Sequence, residues 1–386
     1  ISIDPNIIES AEVIFGPGSV IYGSDALGGV MDFHTFQPRL TTNHKPFIKS
    51  NALARWSSAN NENTAHFDIN LGYQKVGFFT SVSFSDFDDL KMGSNGNKEY
   101  VRPEYAETIN GVDTILPNLD ENVQRKSAYS QMNLTQKIRF KPNENLDLSY
   151  GLHYSKTSDI PRYDRLIQYS GEELKYARWD YGPMYWMLNT FNARYAKANR
   201  FFDQANFNIA YQDYEESRID RRYGKTEENT RTDFVDVYSL NTDFDKSISE
   251  KTELFYGFEG IYNNVKSEGF ATNVSTDSVY PASTRYPDGG TDYLTLAAYV
   301  SVKHKLSETI TINSGLRYNY QNLKSSMKDT SFFNFPYDEI KLSPSAINGS
   351  LGAVYHPFEK TFFNVNFSTG FRAPNLDDVA KVFDSE

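Results

Sequence analysis

From about Pro46 onward the chain alternates apolar and polar side chains in short stretches, each followed by a break. Leu294, Leu296, Ala298, Val300 and Val302 interleave with Thr295, Tyr299 and Ser301. Ile310, Ile312, Leu316 and Tyr318 interleave with Thr311, Asn313, Arg317 and Asn319, and Phe363, Val365 and Phe367 with Asn364, Asn366 and Ser368. Phe67, Ile69, Leu71, Tyr73 and Leu146, Leu148, Tyr150, Leu152 repeat the theme earlier in the chain. A period of two means extended strands with one apolar face. The pattern predicts about thirteen strands, near 46–57, 64–73, 76–86, 126–140, 146–157, 184–198, 202–216, 232–246, 252–264, 290–304, 309–322, 346–356 and 361–371.

The breaks carry as much information as the strands. Those at 74–75, 141–145, 199–201, 247–251, 305–308 and 356–360 are short, whereas those at 87–125, 158–183, 217–231, 265–289 and 323–345 are long; 58–63 is the exception. Short and long therefore alternate, which puts tight turns on one rim and long loops on the other. A soluble sandwich has no reason for that arrangement, but an up-and-down antiparallel transmembrane β-barrel does. On this reading Leu296, Ala298, Val300, Ile310, Ile312, Val365 and Phe367 face lipid, and Thr311, Asn313, Arg317, Asn364 and Asn366 face the lumen.

Composition sharpens the same conclusion. Aromatics make up 15% of the 386 residues, with 27 Tyr and 28 Phe, yet the hydrophobic fraction is only 39%. A barrel reconciles the two, because its lumen and loops are polar, its lipid face is one apolar layer, and aromatic girdles ring both interfaces. Tyr150, Tyr154, Tyr318, Tyr320 and Tyr355 fit such girdles. No apolar run is long enough for a membrane-spanning helix. No signal peptide opens the chain, and Ile1 reads as mid-domain, so a preceding segment is expected.

A net charge of −11 argues against a nucleic-acid partner. With no cysteine there is no disulfide scaffold and no thiolate metal site. The six histidines, His34, His44, His66, His153, His304 and His356, lack metal-binding spacing, and no phosphate loop occurs. The expectation is a non-enzyme, with no catalytic residues, no resident metal and no cofactor.

Residues 12–35 break the barrel rhythm. Glu12-Val13-Ile14-Phe15 reads as a short strand, followed by Gly16-Pro17-Gly18-Ser19, Val20-Ile21-Tyr22-Gly23, and then Gly28-Gly29-Val30-Met31-Asp32-Phe33. Near the other end stands Gly370-Phe371-Arg372-Ala373-Pro374-Asn375-Leu376. The first block resembles the end of the plug domain of TonB-dependent outer-membrane transporters, and the second resembles their Phe-Arg-Ala-Pro box. Phe15 departs from that family, which usually has Arg before the Gly-Pro. The resemblance implies a division into plug (1–40) and barrel (41–386). It also implies an outer-membrane location in a Gram-negative bacterium, with the chain contributing thirteen strands or so of a barrel of roughly 22. The implied activity is energy-coupled import of a scarce nutrient complex, an iron–siderophore, haem or cobalamin-like molecule. The energy would come from the TonB–ExbB–ExbD complex, acting on a plug segment upstream of this sequence. A passive porin or adhesin barrel is the first alternative, although a porin needs no plug. A soluble carbohydrate-binding β-protein is the second.

For a transporter the relevant chemistry is ligand capture. Arg forks suit carboxylate, catecholate or phosphate groups, and aromatic rings stack. Arg162, Tyr163, Arg165, Arg178 and Trp179, in the long break at 158–183, are the candidate ligand-binding residues. Arg218, Arg221 and Arg222 lie beside Asp220, Glu215 and Glu216, which points to internal salt bridging. By strand parity, both loops emerge on the same side as Arg372.

Overall fold

The computed structural model describes residues 3–15, 19–24, 26, 28–329, 331–332 and 337–381. It opens on a hairpin in which β1 (Ile8–Phe15) pairs antiparallel with β2 (Gly29–Thr35). A helical turn, Ser19–Tyr22, lies between them. A Cβ at Gly29 would stand 2.7 Å from the carbonyl oxygen of Ile14, so the strands close only around a glycine. This hairpin forms a sheet of its own and joins no other. Gly16, Pro17 and Gly18, expected to form a tight turn, lie outside the described residues.

One large sheet follows. Its strands are β3 (Phe47–Ser57), β4 (Glu62–Gly72), β5 (Val76–Phe87), β6 (Tyr129–Asn143), β7 (Leu146–Thr157), β8 (Tyr176–Tyr195) and β9 (Gln204–Arg222). They continue with β10 (Glu227–Ser249), β11 (Thr252–Asn273), β12 (Thr291–Lys305), β13 (Ile310–Ser326), β14 (Ser345–Phe358) and β15 (Thr361–Ser368). Each pairs with the next in sequence, always antiparallel. Three short strands attach at the edges of this path: Ile160–Pro161 on β8, Ser278–Pro281 on β11 and Glu339–Leu342 on β13. The architecture is all-β and up-and-down, with the strand order that the alternation predicts.

One difference is systematic. Strands β8 to β11 run for 20, 19, 23 and 22 residues, well into stretches that the sequence pattern marks as loops. The reason is physical. The apolar–polar alternation is imposed by lipid on one face. Beyond the lipid both faces are polar, so the signal vanishes while the backbone ladder continues.

The sheet has two faces, and Asp4, Gly23, Thr35 and Phe36 of the N-terminal segment contact one of them, the inner face. On β4 the inner residues Glu62, Thr64, His66, Asp68 and Asn70 are buried, while Phe67 is exposed on the outer face. On β13 Arg317, Asn319 and Gln321 are buried inward, whereas Leu316 and Tyr318 are half exposed outward. Through the strand pairings, Thr311, Asn313, Asn364 and Asn366 share the inner side with Arg317. Leu296, Ala298, Val300, Ile310, Ile312, Val365 and Phe367 share the outer side with Leu316.

Buried polar groups need partners, and on the inner face the N-terminal segment supplies several. Ser83 Oγ donates to Asp4 Oδ2 at 2.5 Å. The two ring nitrogens of His66 lie 2.7 Å from Ser83 Oγ and 3.0 Å from Asp68 Oδ2. Lys137 Nζ donates to Thr35 Oγ1 at 2.6 Å and to the Phe36 carbonyl at 2.8 Å. Gly23, at φ +81°, presses on the wall, where an added Cβ would lie 2.9 Å from Arg317 Nη2. Arg317 in turn donates to Glu259 at 2.6 Å and Asn319 at 2.7 Å.

Candidate ligand-binding site

The extended ends of β8 to β11 form a ribbon standing above the rest of the sheet. Strand alternation sorts its side chains onto two faces. Trp179 and Tyr181 on β8 pair with Asp220 and Arg218 on β9, and Arg218 pairs with Arg231 on β10; all face inward. Together with Arg285 from the segment after β11, they enclose a cleft of about 920 Å³. Its lining carries Arg162, Arg165, Lys175, Arg218, Arg222, Lys225, Arg231, Arg285 and Lys381 against Asp220 and Glu227. In a chain of net charge −11, this is a strong local inversion of sign.

The cleft's cations are braced by rings and acids at its edge. Arg162 donates two bonds to Asp164, at 2.9 and 2.5 Å, and one to Tyr181 Oη at 2.9 Å. Its guanidinium lies over the rings of Trp179 (4.8 Å) and Tyr181 (5.1 Å), and Arg218 lies 5.1 Å from the same Tyr181 ring. Such cation–π contacts hold a guanidinium in place without neutralising it. Arg231 donates to Asp220 at 2.5 Å and to the Ser283 carbonyl at 3.2 Å. Arg285 donates to Asp233 at 3.1 Å and Asp377 at 3.4 Å, and its Nε is buried with no hydrogen-bond partner, as is Arg165 Nε. Among the described residues, no group of His, Asp and Glu gathers in a way that could hold a metal ion.

Of the residues singled out from sequence, Arg162, Arg165 and Trp179 meet at this cleft. Tyr163 does not, because its ring lies 5.1 Å from the Arg102 guanidinium. Arg178 projects from the ribbon's other face, where it donates to Asp180 (2.6 Å), Asp159 (2.7 Å) and Glu228 (2.8 Å). The run from Arg218 to Arg222 is split by alternation. Arg218, Asp220 and Arg222 point into the cleft, while Arg221 points outward to both oxygens of Asp113, at 2.7 Å each. Asp113 belongs to a hairpin, Glu104–Ile109 with Val112–Pro117, that docks on that outer face. Lys175, Tyr181, Arg231, Arg285 and Lys381 were not picked out from sequence. The even spacing of Arg218, Asp220 and Arg222 was a usable signal, but nothing local marks Arg231 or Arg285.

The two sequence blocks that flank the chain meet in space. The Ala373 amide donates to Ser24 Oγ at 3.2 Å, a contact between residues 349 apart in sequence. Arg372 donates to both oxygens of Asp378, and Asn375 caps the turn Leu376–Val379 in a reciprocal capping box. Gly23, against Arg317 of β13, and Ser24, bonded to Ala373, therefore join the N-terminal block to the wall and to the Gly370–Pro374 segment, while Gly29 pairs closely with Phe15 and Ile14; Tyr22 and Gly28 flank these contacts in sequence.

The family description "TonB dependent receptor-like, beta-barrel" matches residues 161–383 of this chain. The chain belongs to the TonB-dependent receptors. The description "TonB-dependent Receptor Plug Domain" matches residues 1–30. Among solved structures the receptor is similar to the copper transporter OprC, with 14% identity and a TM-score of 0.72, covering 97% of this chain and 52% of that one. It is also similar to the FrpB iron transporter from Neisseria meningitidis (F3-3 variant), with 15% identity, a TM-score of 0.71, and coverage of 97% and 54%. The ferric yersiniabactin uptake receptor FyuA from Yersinia pestis gives 16% identity, a TM-score of 0.65, and coverage of 97% and 54%. The chain thus spans about half the length of the solved structures it matches, and at these identities the likeness is one of fold. No curated protein matches it.

Electrostatics around the receptor's loops follow from the contacts. The Asp164 carboxyl is held below its ordinary value by its hydrogen bonds from Arg162. Burial alone would raise the Asp113 carboxyl, but the bonds from Arg221, Thr108 and the Gly224 amide outweigh it and lower it. Asp377 is lowered in the same way: burial is outweighed by the Tyr286 hydroxyl and Arg285, while burial and that same bond push the Tyr286 hydroxyl up.

Proposed function

We propose that this receptor imports a bulky, anionic metal complex of the ferric siderophore class across the outer membrane of a Gram-negative bacterium. The observation that carries this reading is the cleft, with its large excess of Arg and Lys over acids on the inner side of the ribbon. Arg forks bind carboxylate and catecholate oxygens two at a time, and rings such as Trp179 and Tyr181 stack on planar ligand groups. A cobalamin-like ligand carries little net negative charge, so it gains less from such a lining. Haem offers two carboxylates but needs an apolar slot, and the residues around this cleft are mostly polar.

In this reading Arg162, Arg165, Trp179, Tyr181, Arg218, Arg231 and Arg285 capture the ligand. Residues 1–40 belong to a plug that closes the lumen, and residues 41–386 to the barrel wall. The plug hairpin ends at Thr35 and the first wall strand starts at Phe47, which supports a division between them. The TonB–ExbB–ExbD complex supplies the energy through the plug. The plug contacts favour an energy-coupled receptor over a passive porin or adhesin.

A test uses ferric siderophores of similar size and differing net charge, titrated into the purified receptor. Affinity should climb with negative charge and fall as salt is added. Neutral complexes that bind as tightly as anionic ones would sink the assignment. Uptake of the tightest binder should cease in cells lacking TonB.

A further inference from the structure

Besides Asp220 and Glu227 in its lining, the basic cleft meets a carboxylate at its edge from the segment after β15. Asp377 sits in the short turn Leu376–Val379 that follows Pro374. Its Oδ1 accepts from Tyr286 Oη at 2.6 Å and from Arg285 Nη2 at 3.4 Å, and lies 3.7 Å from Lys381 Nζ. Arg285 and Lys381 both line the cleft. Asp377 is nevertheless half exposed, so water and a soluble anion can compete for its partners. The same segment is tied to the plug block, since Ala373 N–H donates to Ser24 Oγ at 3.2 Å. Arg372 and Asp378 then close the turn between these two contacts.

We propose that Asp377 is a built-in competitor for the ligand: it occupies Arg285 and Tyr286 in the empty receptor, and an anionic ligand displaces it. The inference rests on the cleft being the ligand site. It adds a regulatory contact that links cleft occupancy to the segment touching the plug. A ligand shifts a conformational equilibrium only as far as its affinity differs between the two states. Here the difference is concrete, because the state with Asp377 released offers Arg285 and the Tyr286 hydroxyl to an incoming carboxylate. By reciprocity, weakening the internal contact must strengthen ligand binding. The displaced segment carries Ala373 with it, which loosens the tie to Ser24.

The test measures ferric citrate, a small polycarboxylate complex, binding to the purified receptor by calorimetry. Three forms are compared: wild type, Asp377→Asn and Glu359→Gln. Asp377→Asn keeps the shape and removes the competing charge. It should bind roughly tenfold tighter than wild type, a change of about 1.4 kcal/mol. Glu359→Gln, which removes one charge from the exposed turn between β14 and β15 and lies outside the cleft, should bind like wild type. Asp377→Ser removes the same carboxylate with a smaller side chain and should tighten binding in the same direction. It serves as the second variant where Asp377→Asn does not fold. Wild-type affinity in a folded Asp377→Asn protein, or weaker binding in it, overturns the competitor and leaves the cleft assignment standing. Silence of both wild type and Asp377→Asn overturns the cleft assignment and the competitor with it. Binding by Asp377→Asn alone supports the competitor most strongly.

Discussion

The two faces of the ribbon built by β8 to β11 use the same residue types for opposite purposes. On the outer face Arg178 meets Asp159, Asp180 and Glu228, and Arg221 meets Asp113 with both fork nitrogens. Both of these guanidiniums have acids to match, the Arg221–Asp113 pair is nearly excluded from water, and a loop hairpin is pinned as a result. On the inner face the cations lining the cleft outnumber the acids lining it, and Arg162 and Arg218 are held by rings as well as by carboxylates. The lesson is that an arginine's role is read from the charge balance of its surroundings. A balanced, buried pair fixes structure; an unbalanced, open cluster leaves binding capacity for an external anion.

The strongest way to break this comparison is at its most buried pair. Asp113→Ala leaves Arg221 buried without its carboxylate, which should cost about 3–5 kcal/mol in the docking of the loop. Hydrogen exchange over residues 104–117 should accelerate, with ligand affinity unchanged. An unaltered exchange pattern would mean that the hairpin is held by something else.

Lower in the wall the same two-face logic applies to lipid. Leu316 lies well inside β13 on the outer face, so Leu316→Arg should destabilise the folded barrel by about 2–4 kcal/mol in urea titrations. Ile312 sits only two residues from the start of that strand, near the interface, so the same change there should cost about 0–1 kcal/mol. Equal costs at both sites would contradict the depth assigned to them.

On the inner face the expected effect moves from stability to binding. The double change Arg218→Gln and Arg231→Gln should weaken the anionic ligand roughly 10- to 100-fold, about 1.4–2.8 kcal/mol, while the unfolding midpoint stays put. A large loss of stability with no loss of affinity would place these arginines in the structural class with Arg221.

The smallest effect concerns pH. The Asp113 carboxyl is lowered in the folded protein, so its contribution is complete above its ordinary value of 3.8 and is lost as pH falls through the lower folded value. The hairpin should therefore stay docked from neutral pH down to about 4 and come loose only in stronger acid, followed by protease sensitivity at Asn110-Gly111. Release between pH 5 and 7 would point to a different titrating group.

Much of this was legible in sequence. The alternation of Ile310, Ile312 and Leu316 with Thr311, Asn313 and Arg317 assigns faces directly, because lipid and lumen impose opposite polarity on successive residues. Gly16 to Gly29 and Gly370 to Pro374 mark the plug end and the barrel box, and the contact between Ser24 and Ala373 brings these blocks together. The candidate site was only partly legible. Arg162, Arg165 and Trp179 meet at the cleft, whereas Tyr163 and Arg178, of the same local composition, are engaged elsewhere. Composition tells which side chains are available but not which way they point once both faces are polar.

The sequence alone determined the strand order, the faces within the membrane, the rim with long loops and the family. All of these follow from local periodicity and short motifs, which need only neighbours in the chain. Only the tertiary structure decided that β8 to β11 continue past the lipid as a ribbon, because backbone pairing there leaves no apolar signature. It alone brought Arg285 and Lys381 to Arg218, and set Asp377 among them. Those residues are joined by strand register and loop packing across long sequence separations, and that placement depends on the fold as a whole.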